Sequence, residues 1–294
     1  MLRRTQFLFM TALLVALAAA CAPPAEEADE TAETEAAEAT PEPAPHPDDP
    51  FASEFTGPIE RAHGAEAWYG QQAVAADTIV SFGGNTIFSG ETLFTPDMQH
   101  SRLENDAGGV VVWDGETAWV SPPDASFPPS PRFAVLTWPY FFAAPFKLRD
   151  PGTRLEDLGN MPLDGTPHPA ARLTFEGGIG DTPDDWYVLY RDPETDRLDA
   201  MAYIVTFGTP VEAAEAEPHA ISYEEYVDVD GVAVPTVWQF WLWNEEEGIH
   251  GDPIGRTELS NVRFVTPEPG TFEAPEGAVE STLPPVEGDE GAEE

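Results

Sequence analysis

The sequence predicts a mainly β (α+β) fold: a curved antiparallel half-barrel of about ten or eleven strands, with a short, proline-broken helical plug and two short N-terminal helices. Three observations predict it. From Thr78 onward the chain is a succession of short segments rich in β-branched and aromatic residues, punctuated by turn residues. Asp114-Gly115 and Asp230-Gly231 each separate two such segments, the strongest short-range hairpin pattern. Set among them, Ser130–Leu148 (SPRFAVLTWPYFFAAPFKL) is strongly apolar and does not alternate. A helix apolar on every side must be buried, so the strands are expected to wrap around it.

The chain opens with MLRRTQ, an apolar run from Phe7 to Ala20, and Cys21. A basic start, a short apolar run and small residues make a secretory signal over residues 1–20, too short for a membrane span. Leu17-Ala18-Ala19-Ala20-Cys21 resembles the bacterial lipoprotein cleavage box, with leucine one place further upstream than usual. The resemblance implies cleavage between Ala20 and Cys21, a diacylglyceryl thioether on the sulfur, and fatty acylation of the new amino end. The expected location is then the cell envelope, anchored to a membrane, the periplasmic side of the outer membrane ahead of the inner. Cys21 is the single cysteine, so no internal disulfide is expected.

Residues 21–50 are mostly Ala, Glu, Thr and Pro, with neither Lys nor Arg. Such a segment cannot bury enough surface to offset its ordering entropy and is expected to be a solvated tether. Residues 273–294, rich in Glu, Pro and Gly, are expected to be a second solvated tail. Between them, residues 51–272 have the length of one β-rich domain. Net charge is −41, and the two tails hold 18 of the 54 acids. The domain keeps 36 acids against 11 bases, about −25, and Lys147 is the one lysine of the chain. So acidic a surface repels itself at low salt and suits a salty, halophilic medium. It also excludes nucleic acid as a partner, since no basic patch exists to neutralise phosphates.

Within the domain, Pro58–Gly64 and Ala65–Gly70 read as short helices, each ended by glycine. Strands follow at Thr78–Phe82, Gly90–Phe94, Ser101–Asn105, Val110–Trp113 and Thr117–Val120. Ser130-Pro131 then opens the plug as an N-cap with proline at the first helical position. Pro139 and Pro145 each remove a backbone donor, which predicts two or three short helical pieces. After it, Pro169–Phe175, Trp186–Asp192, Leu198–Phe207, Ala220–Asp228, Val232–Trp243 and Arg256–Thr266 read as an antiparallel meander. Alternation in Val232–Trp243 leaves large apolar residues on both faces.

Several stretches taken together resemble a known superfamily. They are Arg61-Ala62-His63-Gly64 with Trp68, Val112–Trp119 (VWDGETAW), Pro139–Gly152, Gly180–Tyr190, Asp192-Pro193-Glu194-Thr195 and the hairpin Tyr226–Pro235. This pattern is similar to an uncharacterised family of bacterial envelope lipoproteins within the lipoprotein-carrier (LolA/LolB-like) half-barrel superfamily. The resemblance implies an open, curved antiparallel sheet whose concave apolar face holds helices and, in the carriers, acyl chains.

Candidate chemistry is sparse. Asp181, Asp184 and Asp185 are hard oxygen ligands, but their spacing lacks the pattern of a calcium loop and reads as a solvated turn. His63 stands where a helix ends, either as a base with an acidic partner or as a cation meeting the helix dipole. His100, His168, His219 and His250 are scattered and have no cysteine near them, so no metal site is expected. Nucleophile elbows and phosphate loops are absent, Glu224 and Glu225 point to opposite strand faces, and no cofactor is implied. The aromatic residues are the remaining signal. Trp138, Tyr140, Phe141, Phe142 and Phe146 are either core packing or the wall of a cavity for a lipid, acyl chain or other apolar ligand. The expected function is non-catalytic binding of an apolar ligand or partner by a lipid-anchored envelope protein. Rival readings are an envelope hydrolase using His63 and a purely structural or interaction module.

Overall fold

The protein is described by a computed structural model over residues 50–285. Ala20, Cys21, the tether up to residue 49 and residues 286–294 lie outside the described residues. No helix among the described residues is long and apolar enough to cross a membrane.

Helix α1 (Pro50–His63) begins earlier than the expected Pro58, because Pro58 is accommodated inside it. Its buried positions Ala52, Phe55, Ile59 and His63 recur at three and four residues and form one face. Gly64 then turns the chain into α2 (Ala65–Tyr69) at φ +80°. A Cβ at Gly64 would lie 2.1 Å from the carbonyl oxygen of Gly231, so only glycine fits there.

A single thirteen-stranded antiparallel sheet follows. Strands β1 (Ala73–Phe82), β2 (Asn85–Phe94), β3 (Ser101–Asn105), β4 (Val110–Trp113) and β5 (Ala118–Ser121) step outward in order. Helix α3 (Pro131–Lys147) carries the chain to the opposite edge. There β6 (Thr153–Leu163), β7 (Thr166–Phe175), β8 (Trp186–Arg191), β9 (Leu198–Tyr203), β10 (His219–Val229), β11 (Val232–Asn244) and β12 (Gly248–Val265) return strand by strand. Strand β12 ends beside β1, which joins the two wings. The short β13 (Val279–Glu280) adds to β5 at the far edge. All eleven expected strands are present; β6 and β13 are additional. Strand β6 is an edge strand with mostly exposed or half-exposed positions, so its pattern is too polar to read as a strand. Strand β13 lies beyond Phe272, within the stretch read as solvated tail.

The sheet curls around α3. On one wing α3 packs against β2 to β5; on the other Phe141 meets Tyr203, with ring centroids 5.1 Å apart. The fold is therefore the open half-barrel expected, with one correction. The plug is one helix of 17 residues rather than two or three pieces. Pro139 leaves the Val135 carbonyl without its helical donor, and the buried Ser101 hydroxyl of β3 donates to it at 2.7 Å. Pro145 leaves the Phe141 carbonyl free, and the Tyr223 hydroxyl of β10 donates to it at 2.9 Å. The sheet replaces the missing hydrogen bonds, so the helix runs on. Ser130 caps its start by accepting from the Phe133 amide at 3.2 Å.

The opposite face of β7 to β11 carries a second apolar cluster including Trp186, Tyr190 and Trp243, with Ala214 of helix α4 (Val211–Ala216) packed into it. Trp243 of β11 belongs to that cluster, while Trp238 and Phe240 of the same strand meet α3.

Candidate functional site

Helix α3 has two apolar faces with different surroundings. Val135, Trp138, Phe142 and Phe146 recur at three and four residues and are buried. Phe146 stacks on Trp68 at 4.4 Å, and Phe142 meets Phe94 at 5.3 Å. The second face carries Phe133, Leu136, Thr137, Tyr140 and Phe141, and it borders a cavity of about 690 Å³. Across the cavity stand Phe175 at the end of β7, Ile179 in the turn that follows it, Tyr187 of β8 and Tyr203 of β9. Of the five aromatic residues singled out in the sequence, Tyr140 and Phe141 line this cavity. Trp138, Phe142 and Phe146 are core, because the 3.6-residue period turns them toward Trp68 and the sheet. The facing tyrosines were missed, since Tyr187 and Tyr203 sit in strands whose apolar neighbours read as ordinary packing.

The cavity wall is aromatic with a polar end. Tyr140 and Tyr187 approach to 5.7 Å between ring centroids, and Tyr187 and Tyr203 to 6.4 Å. Burial raises the hydroxyl pKa of all three, and the charge of Asp185 adds to this at Tyr140 and Tyr187. They are neutral donors at physiological pH. At the end of α3, Lys147 pairs with Asp150 at 2.5 Å and donates to the Asp97 carbonyl at 3.0 Å. Burial raises the Asp150 carboxyl above its usual range, against the pull of Lys147. Its other oxygen, Oδ1, is buried without a hydrogen-bond partner.

The acid-rich turn after β7 is built rather than loose. Arg132 grips Asp181 through Nε at 2.6 Å and Nη2 at 2.8 Å while lying over the Trp113 ring. Asp185 is buried and accepts from the Thr182 hydroxyl and from the amide and hydroxyl of Thr206. Asp184 alone of the three acids is exposed. The solvated-turn reading is corrected accordingly: two of the acids fasten the rim of the cavity.

His63 is a pin, not a base. Its Nε2 accepts from the Leu198 amide at 3.1 Å, which leaves the proton on Nδ1, and Nδ1 donates to the Ala233 carbonyl at 3.2 Å. Both ring nitrogens are thus spent on backbone of β9 and β11, and burial lowers the pKa to about 4. Neither the charged helix cap nor a His63 hydrolase fits this geometry. One group among the described residues has metal-ligand proximity: donor atoms of His168, Asp192 and Asp199 lie within 4.8 Å. There Nδ1 of His168 is spent on the Thr166 carbonyl, Nε2 faces Asp199 at 3.1 Å, and Asp192 Oδ1 caps its own turn through Glu194 and Thr195. These contacts account for the cluster as a His168–Asp199 pair beside a capped turn.

No protein-family model matches the chain, and no curated protein matches it. Among solved structures it is similar to a LolA superfamily protein from Nitrosomonas europaea, at 12% identity and a TM-score of 0.48, covering 74% of this chain and 96% of that one. It is also similar to a DUF1329 family protein from Desulfovibrio piger, at 14% identity and a TM-score of 0.47, covering 74% and 97%. A likeness at this level is one of chain path, and a fold does not carry a function with it.

Proposed function

We propose that this protein is a lipid-anchored binding protein of the cell envelope, of the lipoprotein-carrier type, that holds an apolar ligand between α3 and β7–β9 without catalysis. One observation carries the reading: a cavity of about 690 Å³ against the second apolar face of the plug. Its size falls within the range of roughly 300–1,000 Å³ that small-molecule sites occupy, and its walls are aromatic as such sites require. A helix packed only as core would have covered that face with strand side chains. The proposed anchor is the acylated Cys21, which with the tether up to residue 49 would keep the domain close to a membrane surface.

Native mass spectrometry of protein purified without detergent tests it. The expected result is a co-purified apolar species, absent from Leu136→Trp, in which an indole fills the cavity. No bound species, together with no saturable binding of an apolar fluorescent probe, would overturn the reading and leave a structural module.

A further inference from the structure

Building on that reading, we infer that the cavity selects an uncharged amphiphile, an apolar chain ending in a hydroxyl or ester group, and rejects the carboxylate of a free fatty acid. The inference starts from hydrogen-bonding groups that the fold leaves open. Tyr140, Tyr187 and Tyr203 line the cavity, and none of their hydroxyls has a hydrogen-bond partner among the described residues. Tyr187 and Tyr203 are 8% and 7% exposed, and their unpaired hydroxyls stay open to the cavity rather than sealed in the core. A ligand that displaces water from the cavity must offer these donors an acceptor in its place, and an oxygen-bearing head group does so. Asp150 Oδ1 is the complementary orphan, a buried acceptor at the same cavity that a ligand hydroxyl would satisfy.

Charge decides against an anion. The acids bordering the cavity are Asp97, Asp150, Asp181 and Asp185, and Lys147 is the one basic residue on the wall. That ammonium is already engaged by Asp150 and by the Asp97 carbonyl. Asp181 is neutralised by Arg132, whereas Asp97 and Asp185 are held by hydroxyls and backbone amides rather than by cations. A carboxylate or phosphate entering here would lose its water and meet net negative charge. An alcohol or ester meets donors and one open acceptor instead.

The test compares three ligands of equal chain length, oleyl alcohol, monoolein and oleate, as displacers of a bound apolar fluorescent probe at pH 8. Oleyl alcohol and monoolein are expected to displace the probe at concentrations at least about tenfold below oleate, a difference of about 1.4 kcal/mol. In Tyr187→Phe/Tyr203→Phe the alcohol and the ester should both displace the probe less well, and in Asp150→Asn oleate should gain. The comparison on the unmodified protein decides the matter even if a variant fails to fold. Oleate equal to or stronger than the alcohol would overturn the inference while leaving apolar binding intact. Failure of the probe to bind at all would remove both.

Discussion

The hydroxyl of Tyr223 donates to the carbonyl of Phe141 at 2.9 Å, across from β10 to the middle of the plug. That carbonyl is the one Pro145 cannot serve, since proline has no N–H to return to the residue four places back. A buried hydroxyl thus stands in for a helical hydrogen bond and couples the integrity of α3 to the sheet.

The first prediction follows from that pairing. Tyr223→Phe should cost about 1–3 kcal/mol, the penalty of a buried carbonyl left without a donor. In a Pro145→Ala background the cost should fall, because the new amide of residue 145 can reach the Phe141 carbonyl itself. Urea midpoints for the four proteins give the coupling, expected at about 0.5–3 kcal/mol. Strict additivity would show that the hydroxyl is not substituting for the missing amide.

His63 gives a prediction in pH. Its pKa falls from 6.5 to about 4 on folding, so between those values the unfolded chain binds a proton that the folded one refuses. The stability it contributes is complete above pH 6.5 and is lost as pH drops toward 4, by about 3 kcal/mol across the window. Asp150, Asp185 and Asp199, raised chiefly by burial, act with the opposite sign and gain stability as pH falls. The two are separated by His63→Gln, whose amide can both donate and accept but does not titrate. Its thermal melts should decline less steeply from pH 6.5 to 4, and parallel curves would refute the assignment.

Cys21 carries the prediction about the anchor. Without the thiol no diacylglycerol can attach, so Cys21→Ser should leave an uncleaved precursor that no longer partitions into detergent through acyl chains. Intact mass before and after the substitution reads the result directly, and an unchanged mature mass would count against acylation there.

Much of the fold could be read before any coordinates, and the reason lies in particular residues. Asp230-Gly231 adopts positive φ at both positions, 51° and 87°, as a two-residue hairpin turn demands. The run of aromatic and β-branched residues opening Trp186–Asp192 marks a strand, although not its partners on either face. What stayed illegible was tertiary. Proline propensity argued for a broken plug, and two hydroxyls from residues 34 and 82 positions away overrode it. Likewise the plug is apolar on both faces for two different reasons, core and cavity, and composition cannot distinguish them. His63 could be placed at a helix end, but its partners Leu198 and Ala233 are brought to it by the sheet alone.

The acidity of the domain predicts a dependence on salt. About −25 charges over residues 51–272 repel one another in dilute buffer, and near 1 M salt the screening length falls to about 3 Å. Melting temperature is expected to rise by several degrees, roughly 2–4 °C for each kcal/mol of repulsion removed. Melts in potassium chloride from low to molar concentration measure it. A flat response would mean that the surface charges are already balanced by local hydrogen bonding.

The two faces of α3 give the prediction that bears most directly on function, because they separate packing from binding on one helix. Phe142 is 4% exposed and meets Trp68, Phe94 and Trp238, so Phe142→Ala opens a void among rigid rings. The expected cost is about 3–5 kcal/mol, with the affinity of the folded protein for an apolar probe unchanged. Leu136 is half-buried on the cavity face, where one side already lacks protein contacts. Truncating it removes fewer contacts, so Leu136→Ala should cost about 1 kcal/mol or less and weaken probe binding several-fold. Urea midpoints and probe titrations on the same two variants read both quantities. If Leu136→Ala proved as destabilising as Phe142→Ala and left binding untouched, the cavity would be an unused packing gap and α3 would be core on both faces.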